Sequence, residues 1–322
     1  MLPPKGVLET HTVLKHCIGA RTALEGLRQM AKRLPNEAVL TNTIPLLEAQ
    51  SSSEIENIVT TADQLFQFAD VGHGPGLDMA TKEALRYRTA LYEGFLSLKT
   101  RPMSMNTAQV VCGDIKGVEM NIRTNPGTAL RNDRTGEIIY TPPFGADLLK
   151  DLLKNWENFI YEAQGLDPLI KMALLHYQFE AIHPFSDGNG RTGRILNILY
   201  LIQEGLLDIP VLYLSRYIIR HKDDYYRLLQ QVTLHQIWEE WVVYMLKAVQ
   251  ETALWTSQKI ETILGLMRAT GDHMRHHLSF SSKDLLELLF QYPYCRISNL
   301  VEAGFAKPQT ASLYLKKLVE VD

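Results

Sequence analysis

The chain has 322 residues, 46% hydrophobic and 21% charged, with a net charge of −3 and a pI near 6.4. That is the composition of an ordinary globular protein of two or three domains, and its charge speaks against wholesale binding to nucleic acid or an anionic membrane. No apolar run reaches the ~18 residues of a membrane span, the start Met1-Leu2-Pro3-Pro4-Lys5-Gly6 lacks a signal-peptide core, and Cys17, Cys112 and Cys295 follow no zinc or redox spacing. Reduced thiols and a cytoplasmic address with no membrane partner are expected.

Residues 1–10 are punctuated by proline and glycine and read as an extended surface segment. Apolar positions recur at helical spacing over 13–34, where Leu34-Pro35-Asn36 ends the run. A second helix is predicted over 53–71, burying Ile55, Ile58, Val59, Ala62, Leu65 and Phe66. Gly72-His73-Gly74-Pro75-Gly76 breaks the chain, and a third helix follows over 81–98. Between 113 and 144 the pattern changes: extended pieces at 128–131 and 137–141 flank Asn132-Asp133-Arg134-Thr135-Gly136, as in a hairpin, and Pro142-Pro143 closes the segment. Helices resume over 145–162 and 169–182, the second stopping where Pro184 disfavours helix at the preceding residue. The run 192–204 is apolar almost all round, the mark of a central buried helix. Further helices are predicted over 223–234 and 237–268, with a boundary at 270–282. The remainder reads as a helix-turn-helix of 283–292, 296–303 and 307–319, turning at Gly304-Phe305-Ala306. A winged form would need a further hairpin, so this module reads as truncated.

One stretch carries most of the chemistry: His183-Pro184-Phe185-Ser186-Asp187-Gly188-Asn189-Gly190-Arg191-Thr192-Gly193-Arg194. An imidazole at a helix end suits proton transfer near neutral pH. Asp187 is a hard oxygen ligand of the kind that holds Mg²⁺ on phosphates. Gly188-Asn189-Gly190 can turn backbone amides inward as an anion nest, just before a helix whose positive end faces the same place. Arg191 and Arg194 can reach phosphate oxygens from neighbouring directions. Each residue alone has an ordinary explanation as a core histidine, a turn or a solvated face. Together, at this spacing and between two apolar helices, they do not.

The stretch resembles the signature of the Fic family, His-Pro-Phe-x-Asp/Glu-Gly-Asn-Gly-Arg-x-x-Arg, with every fixed position filled. The resemblance implies a mainly α fold: a Fic helical core (101–268) with a small β-hairpin flap, an N-terminal helical region (1–100) and a C-terminal helix-turn-helix (280–322). It also implies a protein adenylyltransferase, moving AMP from ATP to a Ser, Thr or Tyr hydroxyl of a target protein with release of pyrophosphate. On that reading His183 is the catalytic base and Asp187 holds Mg²⁺ on the α/β phosphates. Asn189 and the amides of Gly188 and Gly190 cradle the phosphates, Arg191 binds phosphate, Arg194 steadies the γ-phosphate, and Phe185 anchors the loop. Thr192, Gly193, Tyr225 and Tyr226 complete the nucleotide-binding set.

Ser52-Ser53-Glu54-Ile55-Glu56-Asn57 matches the family's inhibitory pattern, Ser/Thr-x-x-x-Glu-Gly/Asn, through Ser52, Glu56 and Asn57. The motif is expected to begin a helix, capped by Ser52 or Ser53, with Glu56 one turn in and pairing with Arg194 so that ATP sits unproductively. The segment 137–143 resembles the family's flap, an edge hairpin that aligns the target through Ile138, Ile139, Tyr140 and Thr141. Segments 211–218 and 224–229 resemble the lining of the adenine pocket, although His221-Lys222 departs from the Asn-basic pair of close relatives.

His273-Met274-Arg275-His276-His277 has no carboxylate or thiolate partner in register and reads as a solvated turn rather than a metal site. The C-terminal module balances Lys283, Arg296, Lys307, Lys316 and Lys317 against Asp284, Glu287, Glu302, Glu320 and Asp322, a poor footprint for nucleic acid. Docking of protein is favoured over DNA there, and self-association stays open. Removal of AMP, transfer of another phosphate-linked group, and a nucleotide-sensing transcriptional regulator are the alternative functions.

Overall fold

The computed structural model describes residues 1–6, 8–69, 77–126, 130–131, 138–162, 165–280 and 282–321. The N-terminal part contains α1 (His11–Ala31), α2 (Ala38–Thr41), α3 (Ile44–Ile55), α4 (Ala62–Phe68), α5 (Met79–Ser97) and α6 (Met105–Lys116). After the short β1 (Leu130–Arg131) and β2 (Ile138–Tyr140) come α7 (Ala146–Glu162), α8 (Pro168–Ile182) and α9 (Asn189–Gln203). Then follow α10 (Ser215–Arg220), α11 (Lys222–His235), α12 (Trp238–His277), α13 (Lys283–Gln291), α14 (Ile297–Glu302) and α15 (Pro308–Glu320). Among the described residues no helix is long and apolar enough to cross a membrane.

The core forms around α8 and α9, which are buried on nearly every face because apolar residues occur all round them. Helices α5 and α6 cover α9, while α7 and α12 cover α8. Trp156 of α7 donates its indole N–H to the Leu175 carbonyl and Trp241 of α12 donates to Ala173, so two large side chains enter the core without stranding a polar atom. Helix α1 starts where the Thr10 hydroxyl accepts the Val13 amide, and it buries one stripe (Val13, Cys17, Ala20, Leu24, Leu27) along α12. A second, smaller core of Met274, Leu278, Leu285, Leu288, Leu300 and Ala311 holds the C-terminal helices together, with Phe280 and Tyr314 stacked at 4.1 Å.

The expected β-hairpin flap is not part of this fold, which is mainly α-helical. Extended pairing among the described residues amounts to two residues of β1 against three of β2, with a break in register. The expected turn at 132–136 lies outside the described residues. Pro142 and Pro143 cannot donate ladder bonds, and so short a pair is no template for strand addition.

The inhibitory motif is also placed differently. It ends a helix, α3, rather than beginning one over 53–71. Pro45 enters in the first turn of α3, where a missing N–H costs little. At the other end the Asn57 amide donates to the Glu54 carbonyl and the Ile58 amide to Ser53, with Asn57 left-handed at φ 62°. This is a Schellman close, and asparagine is one of the few side chains that tolerate it. The helix expected to stop at 268 continues to His277, carrying the histidine cluster on its last turns.

The cap at Asn57 can be tested directly. Asn57→Gly is expected to keep or slightly raise stability, whereas Asn57→Val should lower it by about 1–2 kcal/mol through the left-handed backbone. Urea denaturation reads both, and equal midpoints for the two variants would reject the cap.

Candidate functional site

The turn between α8 and α9 carries the site. Helix α8 ends at His183, whose backbone is left-handed (φ 51°, ψ 60°), and α9 opens after Gly188 at φ 79°. A side chain at Gly188 would meet Cys112 Sγ at 3.3 Å, so both its backbone and its surroundings favour glycine. Asn189 gives its side chain to the turn itself: Oδ1 accepts the Phe185 amide and Nδ2 donates to the Phe185 carbonyl, each at 2.8 Å. It therefore shapes the loop, and the backbone amides at the start of α9 are the groups of this turn suited to an anion. Phe185 is fully buried against Phe179, in keeping with the anchoring role that the resemblance implies.

Arg191 and Arg194 project inward from the first turn of α9 and are each 1% exposed. Guanidinium groups this deep need counter-charge. Glu56 supplies it to both: Arg194 Nη2 donates to Oε1 and Arg191 Nε to Oε2, both at 2.8 Å. Arg194 Nε and Nη2 also donate to the Ser52 hydroxyl and carbonyl at 2.8 and 2.9 Å. A side chain at Gly190 would lie 2.6 Å from Glu56 Oε1, so the close approach of the brake requires glycine there. The expected pairing with Arg194 is present, and the bridge to Arg191 is an addition that the sequence did not reveal.

Two further residues join this network. Glu83 of α5 accepts from Arg191 Nη1 at 2.5 Å and from Lys116 Nζ at 3.0 Å, and Lys116 lies 2.6 Å from Asp187. Burial works against ionisation of Glu83, but Arg191 and Lys116 prevail and hold its pKa below the usual value. Asp187 follows the same balance, with Lys116 and the Gly188 amide keeping it ionised. Neither Glu83 nor Lys116 belongs to a motif; only the fold brings them here.

His183 is mostly buried, and burial pushes its pKa down, with the Glu180 carbonyl acting in the opposite sense. The ring is thus held ready to accept a proton. Arg123, from the segment after α6, donates Nε to the His183 carbonyl at 2.7 Å. No motif marked it. One turn before His183, Glu180 lies beside Gly193, where an added Cβ would come within 2.5 Å of its Oε1. That oxygen is buried without a hydrogen-bond partner among the described residues, and burial raises the carboxyl pKa to about 7. Gly193 thereby has a packing reason for being glycine. Thr192 is fully buried.

The segments expected to line an adenine pocket pack partly into the core. Tyr225 is 2% exposed, bonds His176 through its hydroxyl at 2.9 Å, and packs its ring against Trp241 and Tyr244. It is a core residue and cannot stack on a base. Tyr226 beside it is half-buried. Tyr213 turns toward the brake helix, its hydroxyl 2.7 Å from the Ser51 hydroxyl. Of the expected flap residues, the side chains of Ile138 and Ile139 lie outside the description, Thr141 is exposed, and Tyr140 donates to the Ala181 carbonyl at 2.6 Å.

No group of three or more metal-ligating side chains is assembled among the described residues. Asp187 alone, ionised and with its side chain 58% exposed at the mouth of the turn, suits Mg²⁺, which keeps waters and takes remaining ligands from substrate phosphates.

Comparison with known proteins agrees with the geometry. Residues 14–96 match the Fic/DOC family N-terminal description, 109–201 the Fic/DOC family, and 266–322 the protein adenylyltransferase SoFic-like C-terminal domain. A probable protein adenylyltransferase of Aquifex aeolicus is 36% identical over 77 residues, 24% of this chain and 23% of that protein. The protein adenylyltransferase Fic of Nematostella vectensis is 34% identical over 94 residues, 29% of this chain and 20% of that one. The matched region thus spans less than a quarter of these relatives' lengths. In fold, a Fic family protein from Desulfovibrio desulfuricans superposes with a TM-score of 0.67 at 19% identity, over 99% of this chain and 92% of that one. Fic-1 from Caenorhabditis elegans gives 0.57 at 19% identity, over 80% and 74%.

The raised pKa of Glu180 has a measurable consequence. In the unfolded chain this carboxyl titrates near 4.5, so the folded state holds the proton more tightly. Its contribution to stability is full below pH 4.5 and is lost as pH rises toward 7. Urea denaturation between pH 4.5 and 8 should show wild type losing stability relative to Glu180→Gln, which stays uncharged throughout. Parallel curves would refute the raised pKa.

Proposed function

The chain belongs to the Fic/DOC family, and from that premise we propose a protein adenylyltransferase held off by its own Glu56. It transfers AMP from ATP to a Ser, Thr or Tyr hydroxyl of a target protein and releases pyrophosphate. The observation that carries this reading is the single carboxylate of Glu56 bridging both arginines of the catalytic turn. A nucleotide triphosphate is the natural replacement for such a carboxylate, because it too brings anionic oxygens to two buried guanidiniums.

In the active state Glu56 withdraws and phosphate oxygens take its place on Arg194 and Arg191. The target hydroxyl gives its proton to His183 as its oxygen bonds to the α-phosphorus, and the bond from that phosphorus to the β-bridging oxygen breaks. Arg194 and the amides at the α9 start bear the charge that develops on the departing pyrophosphate. Asp187 would hold Mg²⁺, which supplies further charge neutralisation on the phosphates when bound. Asn189 and Phe185 keep the turn in shape, and Ser52 keeps the Arg194 guanidinium aimed. The reading retains a cytoplasmic address. The balanced charge of 282–322 supports a protein-docking role for the C-terminal module over DNA binding.

The test uses α-labelled ATP with Mg²⁺ and a protein mixture containing candidate targets. Loss of a charge-assisted bond of about 1.5–3 kcal/mol predicts that Glu56→Gly raises labelling on the order of ten- to a hundredfold over wild type. Adding His183→Ala to Glu56→Gly should return it to background. Absence of labelling in every form, despite measurable ATP binding, would sink the transferase reading.

A further inference from the structure

Arg123 is 7% exposed, and among the described residues its guanidinium donates only to main-chain carbonyls: His183 at 2.7 Å, Ile182 at 3.0 Å, Asn125 at 3.0 Å and Pro143 at 2.5 Å. Its own amide donates to the Pro184 carbonyl at 2.9 Å. Among the described residues no carboxylate is in hydrogen-bond or ion-pair contact with it. A buried positive charge of this kind is costly, and four carbonyl acceptors are what make it tolerable. The carbonyls it collects are not random. Three belong to the end of α8, the catalytic histidine and the proline after it; the others belong to the segment entering and leaving the region of β1 and β2.

We infer that Arg123 is the positioning residue of the catalytic turn, fixing the left-handed backbone of His183 and setting beside it a positive charge that no carboxylate among the described residues pairs with. This rests on His183 being the base. A left-handed conformation at a non-glycine residue costs about 1–2 kcal/mol unless its surroundings hold it. A planar fork bonding residues 182 and 183 at once holds it in a way that a single-point donor cannot. The charge acts in the same direction as burial. Around the imidazole, Glu56 from the end of α3 and Asp187 from the loop favour the protonated ring, as does the Glu180 carbonyl of α8. Arg123 is the opposing charge. It also donates to Pro143, so the chain leaving β2 is tied to the same guanidinium as the base.

Two substitutions separate the two effects, both made in the Glu56→Gly protein. Arg123→Lys keeps the charge and loses the fork; Arg123→Met loses both. The His183 ring is titrated by nitrogen-15 NMR, assigned with His183→Ala, and the rate of AMP transfer is followed against pH. For Arg123→Lys the imidazole titration should stay near that of the parent while kcat falls on the order of ten- to a hundredfold, with KM for ATP little changed. For Arg123→Met the titration and the acid limb of the rate profile should also move to higher pH. A lysine variant with parental kcat would overturn the positioning role. An unshifted imidazole in a folded Arg123→Met protein would overturn the charge effect. The NMR reading does not depend on turnover, so failure of the transferase reading itself would appear separately, as no transfer by the Glu56→Gly parent.

Discussion

Two guanidinium groups driven into the core by the first turn of α9 set the terms for everything around them. Arg191 and Arg194 cannot stay at 1% exposure without anionic partners, and the protein provides a chain of them. Glu56 joins the two arginines, Glu83 joins Arg191 to Lys116, and Lys116 reaches Asp187. Three cations meet three carboxylates, so the resting network is neutral. Removing Glu56 leaves one positive charge uncompensated beside the turn, and that surplus is what draws in an anionic ligand. On the proposed reading, inhibition and nucleotide binding are therefore two ways of meeting one electrostatic demand.

The brake must be held firmly to meet that demand, and α3 shows how. Glu48, Ser52 and Glu56 stand one turn apart on a single face. Glu48 is almost fully buried, accepting from the Ser215 amide and hydroxyl and from the Tyr87 hydroxyl. Burial raises its pKa, and those three donors pull it back. Ser51 meets Tyr213 on the neighbouring flank. The helix that presents Glu56 is thus fastened to α5 and α10 by polar contacts deep in the protein, which lets a single side chain act at its end.

The sequence made legible the helices with clear apolar stripes, among them α1, α5 and α12, because periodicity reports a buried face directly, and also α9, because a run apolar all round reports a central helix. It failed where burial is polar. Ser51, Ser52 and Ser53 are all buried, so α3 presents no apolar stripe through its last turns, and the serines look like the start of a helix rather than the end of one. Helix α6 carries Thr107, Gln109, Gly113 and Asp114 among its apolar residues and escaped notice in the same way. The contiguous motif at 183–194 exposed its own members, whereas Glu83, Lys116 and Arg123 come from other segments and carry no local pattern. The burial of Tyr225 carries no local signal, because an aromatic looks the same in sequence whether it faces solvent or the Trp241 ring.

The end of α3 also shows how, on the proposed reading, one side chain suffices as the switch. The Glu56 amide donates back to Ser53, leaving the Ser52 carbonyl among those a helix end cannot satisfy internally. Arg194 satisfies it, so the guanidinium serves as a cap on α3 as well as a partner of Glu56. That capping bond and the one to the Ser52 hydroxyl do not involve the Glu56 carboxylate. When the carboxylate leaves, Arg194 still has two acceptors fixing its orientation, while Nη2 loses one of its two. The arginine is then charged, aimed and short of an acceptor, a state a helix movement would destroy and a side-chain movement preserves.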